Sequence, residues 1–230
     1  MDTPRRSAVL IPFVETEEGL SLLFEVRAGN ISDPGEVCFP GGRIESGESP
    51  REAAVRETCE ELGMRAENIE ILGENDLLAP YGGRLIYSFP ALLRTADAKS
   101  VCSAGTAFGQ HSAVSAPSPA EPSAFPEPAS PLQKIFFDPG CLQINEAEVR
   151  EVFTIPLSWL MANEPEDHSI PLGPHEPEGF SASVFGVRDP YPWRKGVYEL
   201  PLWKYKGRFL WGLTARMVQS LLRILQGEQA

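Results

Sequence analysis

A chain of 230 residues with 42% hydrophobic and 23% charged residues has the make-up of a folded globular protein. It is long enough to bury about 70% of the surface that its unfolded form exposes, and one elaborated domain is the expected organisation. Twenty Lys and Arg against 32 Asp and Glu leave a net charge of −12, which argues against nucleic acid or an anionic membrane as the main partner. An anionic substrate would then need a local Arg/Lys pocket or a metal ion to meet it.

Met1 to Glu18 holds two arginines and only a short apolar run, Ala8 to Val14, and reads as neither a signal peptide nor a membrane span. Cys38, Cys59, Cys102 and Cys141 are widely spaced with no C-x-x-C. Neither a zinc site nor a disulfide framework is expected, and a reducing cytoplasm is the natural location. His111, His168 and His175 fall in Pro-, Ser-, Ala- or Glu-rich stretches where loops are expected, so chemistry built on a histidine dyad or triad is not.

Ser7 to Val14 and Gly19 to Arg27 are apolar and β-branched enough for two strands, joined as a hairpin by the polar turn Glu15 to Glu18. Asp33-Pro34-Gly35 signals a turn, and Val37 to Pro40 a short strand ending at Gly41-Gly42. Between Ser49 and Gly63 the pattern predicts a helix over Pro50 to Leu62. Ser49 is the N-cap, Pro50 sits at the first helical position, Glu52 completes a capping box, and Gly63 is the C-cap. Further strands are expected at Ile69 to Leu72, Asn75 to Ala79 and Arg84 to Leu93.

From Ala96 to about Gln133 the sequence turns to Ala, Ser and Pro with almost no charge, the signature of a long insertion. Order is expected again at Lys134 to Phe137 and at Glu148 to Pro156, running into a helix at Leu157. Val197 to Tyr205 and Arg208 to Trp211 flank Lys206-Gly207 as a hairpin. Thr214 to Leu225 spaces Ala215, Val218, Leu221, Leu222 and Leu225 for an amphipathic helix. Strands and hairpins flanking two helices predict an α/β sandwich around a mixed sheet.

On the first predicted helix, Glu57, Glu60 and Glu61 fall within a sector of about 100°, with Val55, Cys59 and Leu62 on the other side. One face therefore reads as core and the other as a carboxylate cluster, with Cys59 a core residue. Like charges at such spacing repel by a few tenths of a kcal/mol per pair unless a cation sits among them. Hard oxygen donors suit Mg²⁺ or Mn²⁺, which can hold a diphosphate and activate water. A solvated acidic face is the other meaning of such a run.

The fixed positions Gly42, Glu48, Arg56, Glu57, Glu60, Glu61, Gly63 and Met64 resemble the Nudix box, G-x5-E-x7-R-E-U-x-E-E-x-G-U. Thr58 stands where that pattern prefers a bulky aliphatic residue. The resemblance implies a Nudix-type α/β/α sandwich over residues 1–230, with an insertion at about 96–133. It implies an enzyme that hydrolyses a nucleoside diphosphate linked to another group, using Mg²⁺ or Mn²⁺. It also implies metal ligation by Glu57, Glu60 and Glu61 with a backbone carbonyl at Gly41 or Gly42, catalysis centred on Glu57 and Glu61, and an orienting pair of Arg56 and Glu48. Glu148 and Glu151 lie where Nudix relatives often place a further carboxylate, as ligand or general base, and each reads equally well as a surface glutamate.

Leu23 to Ala28 and Pro34 to Gly42 further resemble the signature of coenzyme A diphosphatases, roughly L-L-T-x-R-[SA]-x3-R-x3-G-x3-F-P-G-G. Glu25 replaces the threonine, Ser32 stands where a second basic residue is expected, and the spacing to Gly35 is one residue short. Asn145 to Leu157 and Leu210 to Ala215 also look like that subfamily. Coenzyme A or its acyl thioesters are then the expected substrates, cleaved to adenosine 3′,5′-bisphosphate and (acyl-)4′-phosphopantetheine. ADP-ribose or another nucleoside diphosphate derivative is one alternative, and a non-catalytic nucleotide-sensing module is another. Arg27 is the first candidate for phosphate, with Arg43 and Arg84 next and Arg188, Arg194 and Lys195 after them. Tyr191 to Arg194 reads as a loop brace and the Trp211 stretch as packing. The expected partner is a small nucleotide; nucleic acid and membrane are not expected, and a homodimer is allowed for.

Overall fold

The computed structural model describes residues 5–80, 83–94, 136–175 and 178–227. The Pro/Ser/Ala-rich segment expected at 96–133, and with it His111 and Cys102, lies outside the described residues.

Strands β1 (Arg5–Thr16) and β2 (Gly19–Arg27) form the expected hairpin, closing at Thr16 opposite Gly19. Short strands β3 (Val37–Cys38) and β4 (Gly41–Arg43) follow, then helix α1 (Pro50–Leu62). Strand β5 (Ile69–Ile71) lies antiparallel to β6 (Arg84–Leu93), and β6 runs parallel to β1. Strand β7 (Val149–Pro156) pairs antiparallel with β2 and leads directly into the short helix α2 (Leu157–Ala162). These strands make one mixed sheet in the order β3-β2-β1-β6-β5, with β4 on β1 and β7 on β2.

The alternation of a strand's side chains assigns the two faces of this sheet. Ala8 and Leu10 of β1 meet Ala53 and Ala54 of α1, together with Phe89 and Ala91 of β6. Ile11 and Phe13 of β1, with Leu22, Phe24 and Val26 of β2, point the other way into the largest core cluster. Helix α3 (Gly212–Leu225) covers that side with Ala215, Met217, Val218, Leu221 and Leu222. A second sheet shares this layer. Strands β8 (Glu166–Leu172), β9 (Gly196–Tyr205) and β10 (Arg208–Trp211) are ordered β10-β9-β8 and bring in Trp203, Tyr205 and Leu210. Trp203 Nε1 donates to the Asn163 carbonyl at 2.7 Å, which ties β9 to the end of α2. The fold is the expected α/β sandwich around a mixed sheet, with a three-stranded sheet added.

Three local expectations are corrected. Asn75 to Ala79 forms no strand, only a bridge between Leu78 and Ile86. Ser220 on α3 donates to the side chains of Asn75 and Asp76, while the Asn75 amide donates to the Ser88 carbonyl of β6 at 2.9 Å. His168 lies in β8 and not in a loop; this edge strand is exposed along nearly its whole length and so shows no apolar alternation. Leu225, expected on the apolar face of α3, is half exposed at the helix end. Lys134 falls outside the described residues, and Phe137 is buried without being in a strand.

Candidate active site

Helix α1 is fixed at both ends by its sequence. The Ser49 hydroxyl accepts from the Glu52 amide while the Glu52 carboxylate accepts from the Ser49 amide, so the capping box is complete. Gly63 closes the helix at φ 63°, and a Cβ there would lie 2.4 Å from the Gln143 carbonyl oxygen. The approach is close because the turn before β7 lies against this end of α1, where the Asn145 amide donates to the Glu61 carbonyl at 2.8 Å. Three residues later Glu148 is thereby brought to the same region.

The buried side of α1 is not the one that its apolar residues indicate. Ala53, Ala54, Thr58, Glu61 and Leu62 are buried, while Val55 and Cys59 are only partly covered. Small side chains at Ala53 and Ala54 let the helix lie close to β1 and β6, which carries Glu61 inward to 5% exposure. Thr58, fully buried, returns its hydroxyl proton to the Ala54 carbonyl at 2.8 Å, so no polar atom is stranded where an aliphatic residue was expected.

The Glu61 carboxylate accepts from the Gly41 amide at 2.8 Å. At Gly42 a Cβ would lie 2.5 Å from the Glu57 carboxyl, so only glycine leaves that group its place. Arg56 is the connecting cation. It donates to both oxygens of Glu48 at 2.9 and 3.2 Å, to Glu57 at 3.0 Å, to Glu60 at 3.2 Å and to the Arg43 carbonyl at 3.1 Å. These bonds hold the Glu48 carboxyl below its usual range.

Glu25 joins this group from β2. It is 1% exposed; one oxygen accepts from the Cys38 thiol at 3.2 Å, and Oε2 has no partner. Burial pushes its pKa up to about 7, against the Cys38 hydrogen bond and the Arg27 charge. Burial followed by the charge of Glu25 pushes Glu61 up to about 9. Glu57 is raised by burial too, although Arg56 opposes it. Burial and the Glu25 charge push the Cys38 thiol well above its ordinary range and keep it protonated.

Of these groups Cys38, Glu57 and Glu61 border a cavity of about 730 Å³, and Glu25 is buried outside its lining. Its lining includes Gly41, Gly42, Glu57, Glu61 and Glu148, the four arginines Arg5, Arg27, Arg43 and Arg84, and Tyr198, Leu200 and Trp211 from the second sheet. Glu60 is not among the lining residues; its side chain is 56% exposed and turned to Arg56. Glu151 is also outside the lining and pairs with Arg208, which lies over the Phe153 ring. Arg27 is steered by its Nε bond to the Ser32 carbonyl at 2.8 Å. Trp211 is 44% exposed on the cavity wall and is not core packing. Tyr191 and Trp193 stack edge to face on each other in the loop before β9, as a brace would.

Among the described residues no three His, Cys, Asp or Glu side chains are gathered closely enough to hold a metal ion by themselves. What exists is a pair, Glu57 and Glu61, at the cavity surface with Glu148 on the same lining.

Sequence reasoning missed Glu25 as a member of this group and Arg5 as a lining residue. A charged residue inside Leu20-Ser21-Leu22-Leu23-Phe24-Glu25-Val26 is the signal for the first. Arg5 stands before the apolar part of β1 and carries no such mark.

Residues 4–98 match the family model described as the NUDIX domain. The chain is 47% identical over 73 residues to Nudix hydrolase 3 of Caenorhabditis elegans, covering 31% of this chain and 30% of that protein. It is 34% identical over 104 residues to the peroxisomal coenzyme A diphosphatase NUDT7 of Mus musculus, covering 41% and 44%. Over 226 residues it is 25% identical to the mitochondrial coenzyme A diphosphatase NUDT8 of Homo sapiens, covering 96% of this chain and 70% of that protein. The chain thus spans less than half the length of the worm and mouse relatives. Among solved structures, a MutT/nudix family protein from Enterococcus faecalis aligns with a TM-score of 0.43 and 14% identity, over 98% of this chain and 64% of that one. The segment matched by the NUDIX domain model, residues 4–98, is the one that carries the capped helix α1 and its glutamates.

Proposed function

We propose that the protein is a metal-dependent diphosphatase that cleaves coenzyme A or an acyl-CoA to adenosine 3′,5′-bisphosphate and (acyl-)4′-phosphopantetheine. The observation that carries this reading is the composition of one cavity, where Glu57, Glu61 and Glu148 share a lining with Arg5, Arg27, Arg43 and Arg84. The resemblance to two proteins named coenzyme A diphosphatases supports the choice of substrate.

The donor set fits a small hard cation. Mg²⁺ commonly takes only one or two carboxylates from a protein and completes its shell with water and substrate phosphate, so two carboxylates suffice. Glu57 and Glu61 would hold it, with a backbone carbonyl at Gly41 or Gly42 as a further donor, and Glu60, turned to Arg56 outside the lining, would join only by leaving that pair. Bound Mg²⁺ or Mn²⁺ would offset the charge of the diphosphate and lower the pKa of the attacking water.

The residues of the chain divide the remaining work. Arg56 locks the Glu48 loop to α1 and orients Glu57, as its five hydrogen bonds allow. The Gly41 amide fixes Glu61. Glu148 takes the proton of the attacking water, since it borders the cavity and Glu151 does not. Arg27 binds phosphate from the opposite strand, and Trp211 and Tyr198 offer flat apolar surface for a base. Cavity walls come from both ends of the chain, which supports one domain over 1–230. The free thiols of Cys38 and Cys59 suit a reducing, cytoplasmic setting.

The test is product analysis with coenzyme A, ADP-ribose, NADH and diadenosine polyphosphates, each with Mg²⁺, with Mn²⁺ and with EDTA. Release of phosphopantetheine that needs metal and exceeds turnover of the other substrates is expected. Preferred cleavage of ADP-ribose would overturn the substrate, and saturable binding without hydrolysis would overturn the reaction.

A further inference from the structure

We propose that Arg5 and Arg84, with Arg43 beside them, form a subsite for a second phosphate of the substrate, a monoester separate from the diphosphate. The inference rests on the diphosphatase reading and adds to it the residues that select the substrate.

Register places these cations together. Arg5 of β1 is paired directly with Arg84 of β6, and Arg43 of β4 is paired with Ser7, two residues along β1 from Arg5. All four side chains border the same cavity. Like charges on directly paired positions repel, so a Glu or Asp neighbour would be the ordinary remedy. Among the described residues none is present: the side chains of Arg5, Arg43 and Arg84 make no ion pair or hydrogen bond, in a chain with 32 acidic residues. Other arginines nearby are engaged. Arg6, the next residue of β1, lies over the Tyr87 ring on the opposite face, and Arg56 is taken up by its glutamates.

Position along the strand separates this cluster from the reaction centre. Gly41, which holds Glu61, pairs with Val9, four residues from Arg5, a span of about 13 Å. That backbone span exceeds the separation of the two phosphorus atoms in one diphosphate, which supports assigning the anion at Arg5 and Arg84 to another group of the substrate. Two guanidiniums favour a dianionic, bidentate acceptor, which describes a phosphate monoester better than a diester. A basic residue is also missing at Ser32, and these arginines would supply the charge from a different strand.

Binding of adenosine 3′,5′-bisphosphate and of AMP, measured by calorimetry in the presence of Mg²⁺, tests this directly. The wild-type protein is expected to prefer the bisphosphate by at least about tenfold. In the double variant R5Q/R84Q the preference should shrink to within about twofold with AMP binding kept, and R6Q should retain it in full. Equal affinities in the wild type, or equal weakening of both ligands in the double variant, would overturn the subsite. An intact preference in a protein that fails to hydrolyse coenzyme A supports the subsite and refutes only the diphosphatase reading.

Discussion

Glu61 and Gly41 are twenty residues apart in sequence and joined by a 2.8 Å hydrogen bond from the glycine amide to the carboxylate. Gly41 itself has φ 147°, and a Cβ there would lie 2.3 Å from the Ala8 carbonyl oxygen. The donor can approach Glu61 only because the residue before Gly42 has no side chain.

Substituting either glycine should therefore fail in a different way. Gly41→Ala meets backbone and is expected to destabilise the fold by roughly 1–3 kcal/mol, read as a lower denaturation midpoint. Gly42→Ala meets the Glu57 carboxyl instead. It should keep near-wild-type circular dichroism and lose about 10²-fold in turnover, through displacement of that group.

Glu61 and Glu60 are adjacent on α1 and differ in surroundings. Glu61→Gln should remove most turnover while the thermal midpoint of the metal-free protein holds near neutral pH, because a carboxyl whose pKa is raised to about 9 is already uncharged there. Glu60→Gln, at a half-exposed position facing Arg56, should change turnover by less than about tenfold. Reversal of that order in steady-state assays would reassign the two.

The same contrast applies to the two glutamates near β7. Glu148→Gln should lower turnover with little effect on stability, since its side chain borders the cavity. Glu151→Gln should do the opposite, through loss of the Arg208 pair that holds a guanidinium over Phe153.

Stability in EDTA should fall as pH rises. Glu25 and Glu61 have folded-state pKa values raised above the ordinary 4.5, to about 7 and about 9. Between those limits the folded state binds more protons than the unfolded one, so the stabilisation present below about pH 4.5 is lost through pH 9. Thermal melts across pH 5 to 9 should show this decline, and adding Mg²⁺ or Mn²⁺ should flatten it by giving the carboxylates a cation.

Glu25→Gln separates the two contributions. At pH 8 it is expected to stabilise the metal-free protein by roughly 1–3 kcal/mol, and at pH 5, where Glu25 is already protonated, by close to nothing. A gain independent of pH would show that the benefit is not electrostatic.

Much of this was legible in the residues themselves. Ser49, Pro50, Glu52 and Gly63 mark α1 to the residue, because caps act locally. The hairpins at Thr16/Gly19 and Lys206-Gly207 are equally local. The orientation of α1 was not legible. Ala53 and Ala54 bury by fitting a close approach to β1, a tertiary event, while Val55 and Cys59 look more apolar and stay partly outside. Strand β8 was invisible for the opposite reason, since an exposed edge strand needs no apolar period. Of the cavity arginines, Arg27, Arg43 and Arg84 were named from the chain alone, whereas Arg5, and Glu25 buried beside Glu61, gain meaning only when β6 and α1 are laid beside their strands.

The cavity wall contributed by Tyr198, Leu200 and Trp211 belongs to a sheet that lies entirely outside residues 4–98. The cavity-lining carboxylates of α1 and the wall formed by β9 and β10 are thus carried on separate stretches of chain. Insertions or substitutions in β8 to β10 can remodel what the cavity admits and leave the α1 carboxylates as they are. A fragment cut after Leu93 would keep every glutamate of α1 and have only half a vessel to work in.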